Sequence, residues 1–221
     1  SKRDGSKEEL TLDKIHKVVF HACEGISGVS PSEVEIRTHL QFYNGITSSD
    51  IQETLIKSAA DLITEETPNY QYVAGRLIVY HLRKHVYGDF NPPHLLKIIN
   101  NNIKKGFYDA EILELYTEDE INQLNDYIQH SRDNMLTYAA MEQFRGKYLV
   151  QNRATGQIFE TPQVAYMMIS ATLFSKYPKE TRLQYVKDYY DAISTFDISL
   201  PTPVMAGVST PQRQFSSCVL I

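Results

Sequence analysis

From Thr11 to Ile193 the chain is built of segments whose apolar residues fall three and four apart, most of them opened by a Ser/Thr-led start signal and closed by Gly or Pro. That period lines the apolar side chains along one stripe of a helix, and such a stripe has to be buried against another element. Thr11 is positioned to cap a first helix whose apolar residues Ile15, Val18, Val19 and Ala22 keep this spacing, with Gly25 as its stop. Ser30-Pro31-Ser32-Glu33 reads as a capping box with Pro at the first helical position, opening a second helix. Thr47-Ser48-Ser49-Asp50 opens a third, with Ile51, Leu55, Ala59 and Leu62 on one face. A fourth runs from about Asn69 to Tyr87, carries Arg83, Lys84 and His85 in its last turns, and stops at Gly88. Ahead of all four, the Asp4-Gly5 turn between short strand-like pieces predicts a β-hairpin over a small helix bundle.

Asn91-Pro92-Pro93 reads as a linker closing this first module. Leu95, Leu96, Ile98, Ile99 and Ile103 make a short helix ended by Gly106. Thr117-Glu118-Asp119-Glu120 is a second capping box, followed by Ile121, Leu124 and Ile128 at helical spacing. Its carboxylates suit a helix N-terminus, which is a plainer role than paired catalytic acids. Lys147–Val150 and Gln157–Glu160 alternate around Asn152–Gly156, the pattern of a hairpin. Val164 to Phe174 and Thr181 to Ile193 are two further apolar helices separated by Pro178; Tyr185, Tyr189 and Tyr190 have the spacing of core and interface packing. From Ser199 the chain reads as an extended, Pro-punctuated approach to a β-prone run, Cys218-Val219-Leu220-Ile221. An unpaired apolar strand invites aggregation, so the expectation is the front part of a longer protein, with a few residues also preceding Ser1. The fold class expected is mainly α with small β elements.

Bulk properties bound the function. With a net charge of -5 over 221 residues, no general attraction to nucleic acid or to an anionic membrane is implied. No apolar run approaches the ~18 residues of a membrane span. Two distant cysteines, Cys23 and Cys218, make neither a disulfide framework nor a zinc site, and a reducing cytoplasm is the natural setting. Cys23, among apolar helix positions, reads as a small buried hydrophobe. His81 and His85 have an i, i+4 spacing that metals use, but Leu-Arg-Lys between them offers two cations and no acid, so no metal is expected in this chain. Lys2 and Arg3 flank a turn, Lys14 begins a helix and Lys84 ends one. A triphosphate needs several cations together with free helix N–H groups, and this set can supply both; the plain alternative is four solvated side chains.

Two stretches carry a resemblance. Lys2-Arg3-Asp4-Gly5, then Leu10-Thr11-Leu12-Asp13-Lys14-Ile15, the Ser48-Ser49-Asp50-Ile51 helix start, and Arg76-Leu77 before His81-Leu82-Arg83-Lys84 are similar to the ATP-cone, an allosteric nucleotide domain. Ser199-Leu200-Pro201-Thr202-Pro203-Val204-Met205-Ala206-Gly207, followed by Thr210-Pro211 and Arg213-Gln214-Phe215-Ser216-Ser217-Cys218, resembles the approach to the catalytic barrel of the class I ribonucleoside-diphosphate reductase large (alpha) subunit. The resemblance implies an ATP-cone at residues 1–90, a helical domain at 91–198 and the start of a ten-stranded α/β barrel at 199–221. By position, Lys2, Arg3, Lys14 and Lys84 would meet phosphates, while Glu8, Glu9, Leu10, Thr11, Leu12, Asp13 and Ser48 would line base and sugar. Thr11 and Gln52 stand where relatives often carry Asn and His, which would alter nucleotide affinity.

Replacing a ribose 2'-hydroxyl by hydrogen needs two electrons and a proton beside that carbon, and a dithiol supplies both, ending as a disulfide. The resemblance implies that Cys218 is one thiol of that pair, its partner and the other catalytic groups lying further along, and that Thr202 and Ser217 hydrogen-bond the substrate. The chain alone would then be catalytically inactive. Implied effectors are ATP and dATP. Implied partners are the ribonucleoside diphosphate, a second alpha subunit, a beta subunit holding the radical metallocofactor, and thioredoxin or glutaredoxin. The competing readings are a non-enzymatic ATP/dATP-sensing module or repressor, against which the missing Cys-x-x-Cys of a zinc ribbon counts, and a helical scaffold without ligand.

Overall fold

The computed structural model describes residues 10–212. Along this span run α1 (Leu12–Cys23), α2 (Pro31–His39), α3 (Ser48–Ala60), α4 (Tyr70–Tyr87), α5 (Leu95–Lys104), α6 (Glu111–Leu115) and α7 (Glu118–Tyr127). After a 3-10 segment, His130–Met135, come α8 (Tyr138–Gln143), the strands β1 (Gln151–Asn152) and β2 (Gln157–Ile158), then α9 (Pro162–Leu173), α10 (Lys179–Ser194) and α11 (Thr202–Gly207). The chain divides into two compact units, one of Ser1–Lys84 with Asp133–Glu142, the other of His85–Arg132 with Gln143–Ile221. Among the described residues no helix is long and apolar enough to cross a membrane.

In the first unit α1 packs on α2 and α2 on α3. Of the stripes read from sequence, Val19, Ala22, Leu55 and Ala59 are wholly buried while Val18 and Ile51 are only half-buried; Val34, Val73, Leu77 and Ile78, from α2 and α4, complete the core, the larger ones worth about 1.5–3 kcal/mol each. The Ser30 capping box is not formed. Ser30 N–H donates instead to the Tyr70 hydroxyl at 2.9 Å, and that hydroxyl donates to Glu33 Oε2 at 2.6 Å. A buried tyrosine from α4 has inserted itself between the two groups that would otherwise have bonded each other. Thr11 occupies the cap position of α1 without a side-chain cap bond, whereas Thr47 Oγ1 accepts from Asp50 N–H at 3.0 Å. Residues 133–142 are seated against α4 so closely that a Cβ at Gly75 would stand 2.1 Å from the Leu136 carbonyl oxygen.

In the second unit α9 is buried from Pro162 through Ala171, which makes it the central helix, with α10 and α11 packed on it and α5 and α10 on α7. The Thr117 capping box forms in full, and Glu120 also receives Arg182 Nε at 2.8 Å and Nη2 at 2.6 Å. Arg182, only 2% exposed, further donates to Leu115 O and lies over the Tyr116 ring. The hairpin is antiparallel, Gln151 opposite Ile158 and Asn152 opposite Gln157. It starts later than the alternation predicts: Lys147 and Tyr148 belong to a wide helical turn, Phe144–Tyr148, closed by Leu149 N–H to Phe144 O and pinned by buried Phe144 packed edge-on to Tyr148 and Tyr166. The extended approach expected from Ser199 is corrected too, because Thr202–Gly207 is helical. Pro203 falls in its first turn, where a missing N–H is no loss.

Candidate nucleotide site

The site has to be built from helix ends. Short loops join α1 to α2, α2 to α3 and α3 to α4, and cross-helix pairs fix the directions. His16 Nδ1 meets Glu35 Oε1 at 2.8 Å across α1 and α2, and His81 Nε2 lies 3.4 Å from Glu53 Oε1 across α4 and α3. In both pairs each partner is set back from the intervening loop, His16 and Glu35 by seven and four residues and Glu53 and His81 by seven and eleven, as in antiparallel neighbours joined by a short loop. The N-termini of α1 and α3 and the C-terminus of α4 therefore share one end of the first unit. Gathered there are Leu10, Thr11, Leu12, Asp13 and Lys14 on or before the first turn of α1, Ser48 opening α3, and Lys84 in the last turn of α4. Leu10 and Leu12 are 42% and 52% exposed; Ser48 and Lys84 are half-buried.

Two positive helix ends and two lysine side chains at one end of a bundle form an anion-receptive surface. The opposite end is closed by Arg76, whose Nη1 donates to Ala22 O at 3.3 Å and to Glu24 O at 2.6 Å, the carbonyls that terminate α1. Gln52 stands one turn beyond Ser48 on α3, its amide oxygen buried without a hydrogen-bond partner. Lys2, Arg3, Glu8 and Glu9 lie outside the described residues, as does the N-terminal hairpin. Sequence spacing passed over His81 as a metal ligand and did not see its pairing with Glu53, which only the fold brings together. Among the described residues no group of three His, Cys, Asp or Glu side chains could hold a metal ion. Cys23 is a buried thiol, pushed by that burial up to about 11 despite Arg76 nearby, and is inert at neutral pH.

A second feature belongs to the second unit. Thr202, at the start of α11, lines a cavity of about 730 Å³ together with Gly106, Phe107, Gly207, Thr210 and the hairpin residues Gln151 to Arg153. Arg153 is turned back on the preceding helical turn, donating to Gly146 O at 3.3 Å and Lys147 O at 2.9 Å. The α11 segment is tied down by Asp109 N–H to Ser209 O at 3.0 Å. Next to that tie, Glu160 accepts from the Tyr108 hydroxyl and, at 2.8 Å, from Val150 N–H. Burial pushes the Glu160 carboxyl up to about 7, against the two hydrogen bonds that favour its charge. Ser217, Cys218 and the expected barrel strand lie outside the described residues.

Comparison with known proteins gives matches along the whole chain. Residues 1–85 match the ATP cone domain, and residues 134–213 match the all-alpha domain of ribonucleotide reductase. All 221 residues align at 58% identity with the ribonucleoside-diphosphate reductase 1 subunit alpha of Escherichia coli (strain K12), covering 29% of that protein. The alpha subunit of Haemophilus influenzae is 57% identical over the same span, and that of Enterobacteria phage T4 46% identical over 222 residues. The chain thus spans 29% of the length of these relatives.

Proposed function

Because the chain belongs to the ribonucleoside-diphosphate reductase alpha-subunit family, with its ATP-cone and all-alpha domains, we propose that it is the regulatory and substrate-approach portion of such a reductase. In this reading residues 1–90 are the ATP-cone, 91–198 a helical domain and 199–221 the start of an α/β barrel. ATP and dATP bind at the shared end of α1, α3 and α4. Lys14 and Lys84, with Lys2 and Arg3, hold the phosphates; Glu8 to Asp13 and Ser48 surround base and sugar. Cys218 is one thiol of the pair that reduces a ribonucleoside diphosphate, and Thr202 and Ser217 hold that substrate. A second alpha subunit, a radical-generating beta subunit with its own metal, and a thioredoxin or glutaredoxin complete the system.

One observation carries the regulatory half: two helix N-termini and the lysine-bearing end of α4 meet at one end of the unit that matches the ATP cone domain. The all-alpha match at residues 134–213 favours a reductase over a free-standing nucleotide-sensing repressor. Calorimetric titration of the chain with ATP and with dATP tests the site. Heat from both is expected, and silence at millimolar nucleotide leaves only a scaffold. Lys84→Ala is expected to weaken ATP by about tenfold or more, since a charge-assisted phosphate contact is lost.

A further inference from the structure

Sequence spacing gives Asp133 no chemical role, yet it is completely buried. Its Oδ2 accepts from Arg83 Nη2 at 2.9 Å, and the Arg83 side chain is only 13% exposed. Charges withdrawn from water to this degree need an opposite charge beside them, and removing one takes that counter-charge from the other. The pair joins the end of α4 to a segment fifty positions later in the chain. Two more α4 residues face the same segment: Gly75, which leaves room for the Leu136 carbonyl, and Arg76, whose Nε donates to Asn134 O at 3.4 Å. Residues 133–142 are thus seated along α4, next in sequence to where the chain arrives from and returns to the second unit.

We infer that Asp133 is a positioning residue for the effector site. Through Arg83 it fixes the turn of α4 that carries Lys84, so that an effector gripped by Lys84 also tightens the seat of residues 133–142. This rests on the nucleotide-binding reading above and adds a direction of travel to it. Coupling of this kind is reciprocal: whatever factor the effector adds to the seating, loosening the seat takes from effector affinity.

The experiment uses the full chain, ATP as the probe, calorimetry for affinity and hydrogen–deuterium exchange for the segment. In the unsubstituted chain, saturating ATP is expected to slow exchange in 133–142 as well as in α1. Asp133→Asn is expected to weaken ATP by about tenfold and to abolish the protection of 133–142 while α1 keeps its own. Asp133→Glu, which retains the charge, is expected to restore part of both. ATP that binds and protects α1 but leaves 133–142 unchanged in the unsubstituted chain overturns the inference and leaves the nucleotide site standing. An unaltered ATP affinity in a folded Asp133→Asn chain overturns it equally. Absence of any heat with the unsubstituted chain removes the nucleotide site, and the inference with it. Should Asp133→Asn not fold, the exchange measurement on the unsubstituted chain decides alone.

Discussion

Glu160 and Glu120 are two carboxyls in the same unit driven in opposite directions. Glu160 rises from the ordinary 4.5 to about 7 because its burial outweighs the bonds from Tyr108 and Val150. The folded state then holds a proton that the unfolded chain releases, so stability is lost as pH climbs from about 4.5 to 7. At about 1.4 kcal/mol per unit this approaches roughly 3 kcal/mol. Glu160→Gln, which imitates the protonated acid, is expected to melt above the parent at pH 8 and level with it near pH 5, in parallel thermal scans. Around Glu120, burial also works to raise the carboxyl, but the bonds from Arg182 and Thr117 together outweigh it and hold it low. Its contribution is present above the ordinary carboxylate range and fades as pH falls through the folded value. Glu120→Ala strands the buried Arg182 guanidinium and is expected to cost about 3–5 kcal/mol in denaturant unfolding at pH 7. Neither role is legible in sequence. Glu160 closes an alternating run and Glu120 a capping box; the partners that set their chemistry, Tyr108 and Arg182, stand 52 and 62 positions away.

Among the elements, what the sequence discloses depends on how local the controlling contact is. Thr117 and Glu120 are three apart and bond each other, so that box can be read directly. Ser30 and Glu33 have the same spacing, but Tyr70 from α4 takes both groups. Thr117→Ala is accordingly expected to cost about 1 kcal/mol and Ser30→Ala much less, a contrast that equilibrium unfolding of the two variants checks. The alternation at Lys147 and Tyr148 gives way to a helical turn because Phe144 is locked in the core, and α6 and α8 are too short to show a period at all. Gly75 lies in the interior of α4, where glycine is normally a weakness. Its reason is the Leu136 carbonyl, so Gly75→Ala, favourable by propensity, is expected to destabilise by about 1–3 kcal/mol or more through overpacking. The residues proposed for the effector site on α1, α3 and α4 were legible only in part: spacing offered Lys14 and Lys84 as phosphate ligands or as plain solvated side chains, and only the resemblance added the rest, since spacing cannot say which helix ends meet.

For the whole molecule, the proposed effector site would link nucleotide binding to folding. If the first unit binds ATP only when folded, ATP at a hundred times its dissociation constant adds about 2.7 kcal/mol, and scanning calorimetry is expected to show the melting temperature of the chain rise with nucleotide concentration. The two units are also interleaved: the chain passes from one to the other after Lys84, returns at Asp133 and leaves again after Glu142. A domain match that stops at residue 85 therefore draws a tidier border than the contacts do. Snipping the polypeptide there would carry off Arg76 and Arg83 and leave their counterparts on the discarded piece. Anyone grafting the first unit onto another protein would have to splice in the Asp133–Glu142 stretch as well, or accept a transplant with a raw seam down α4.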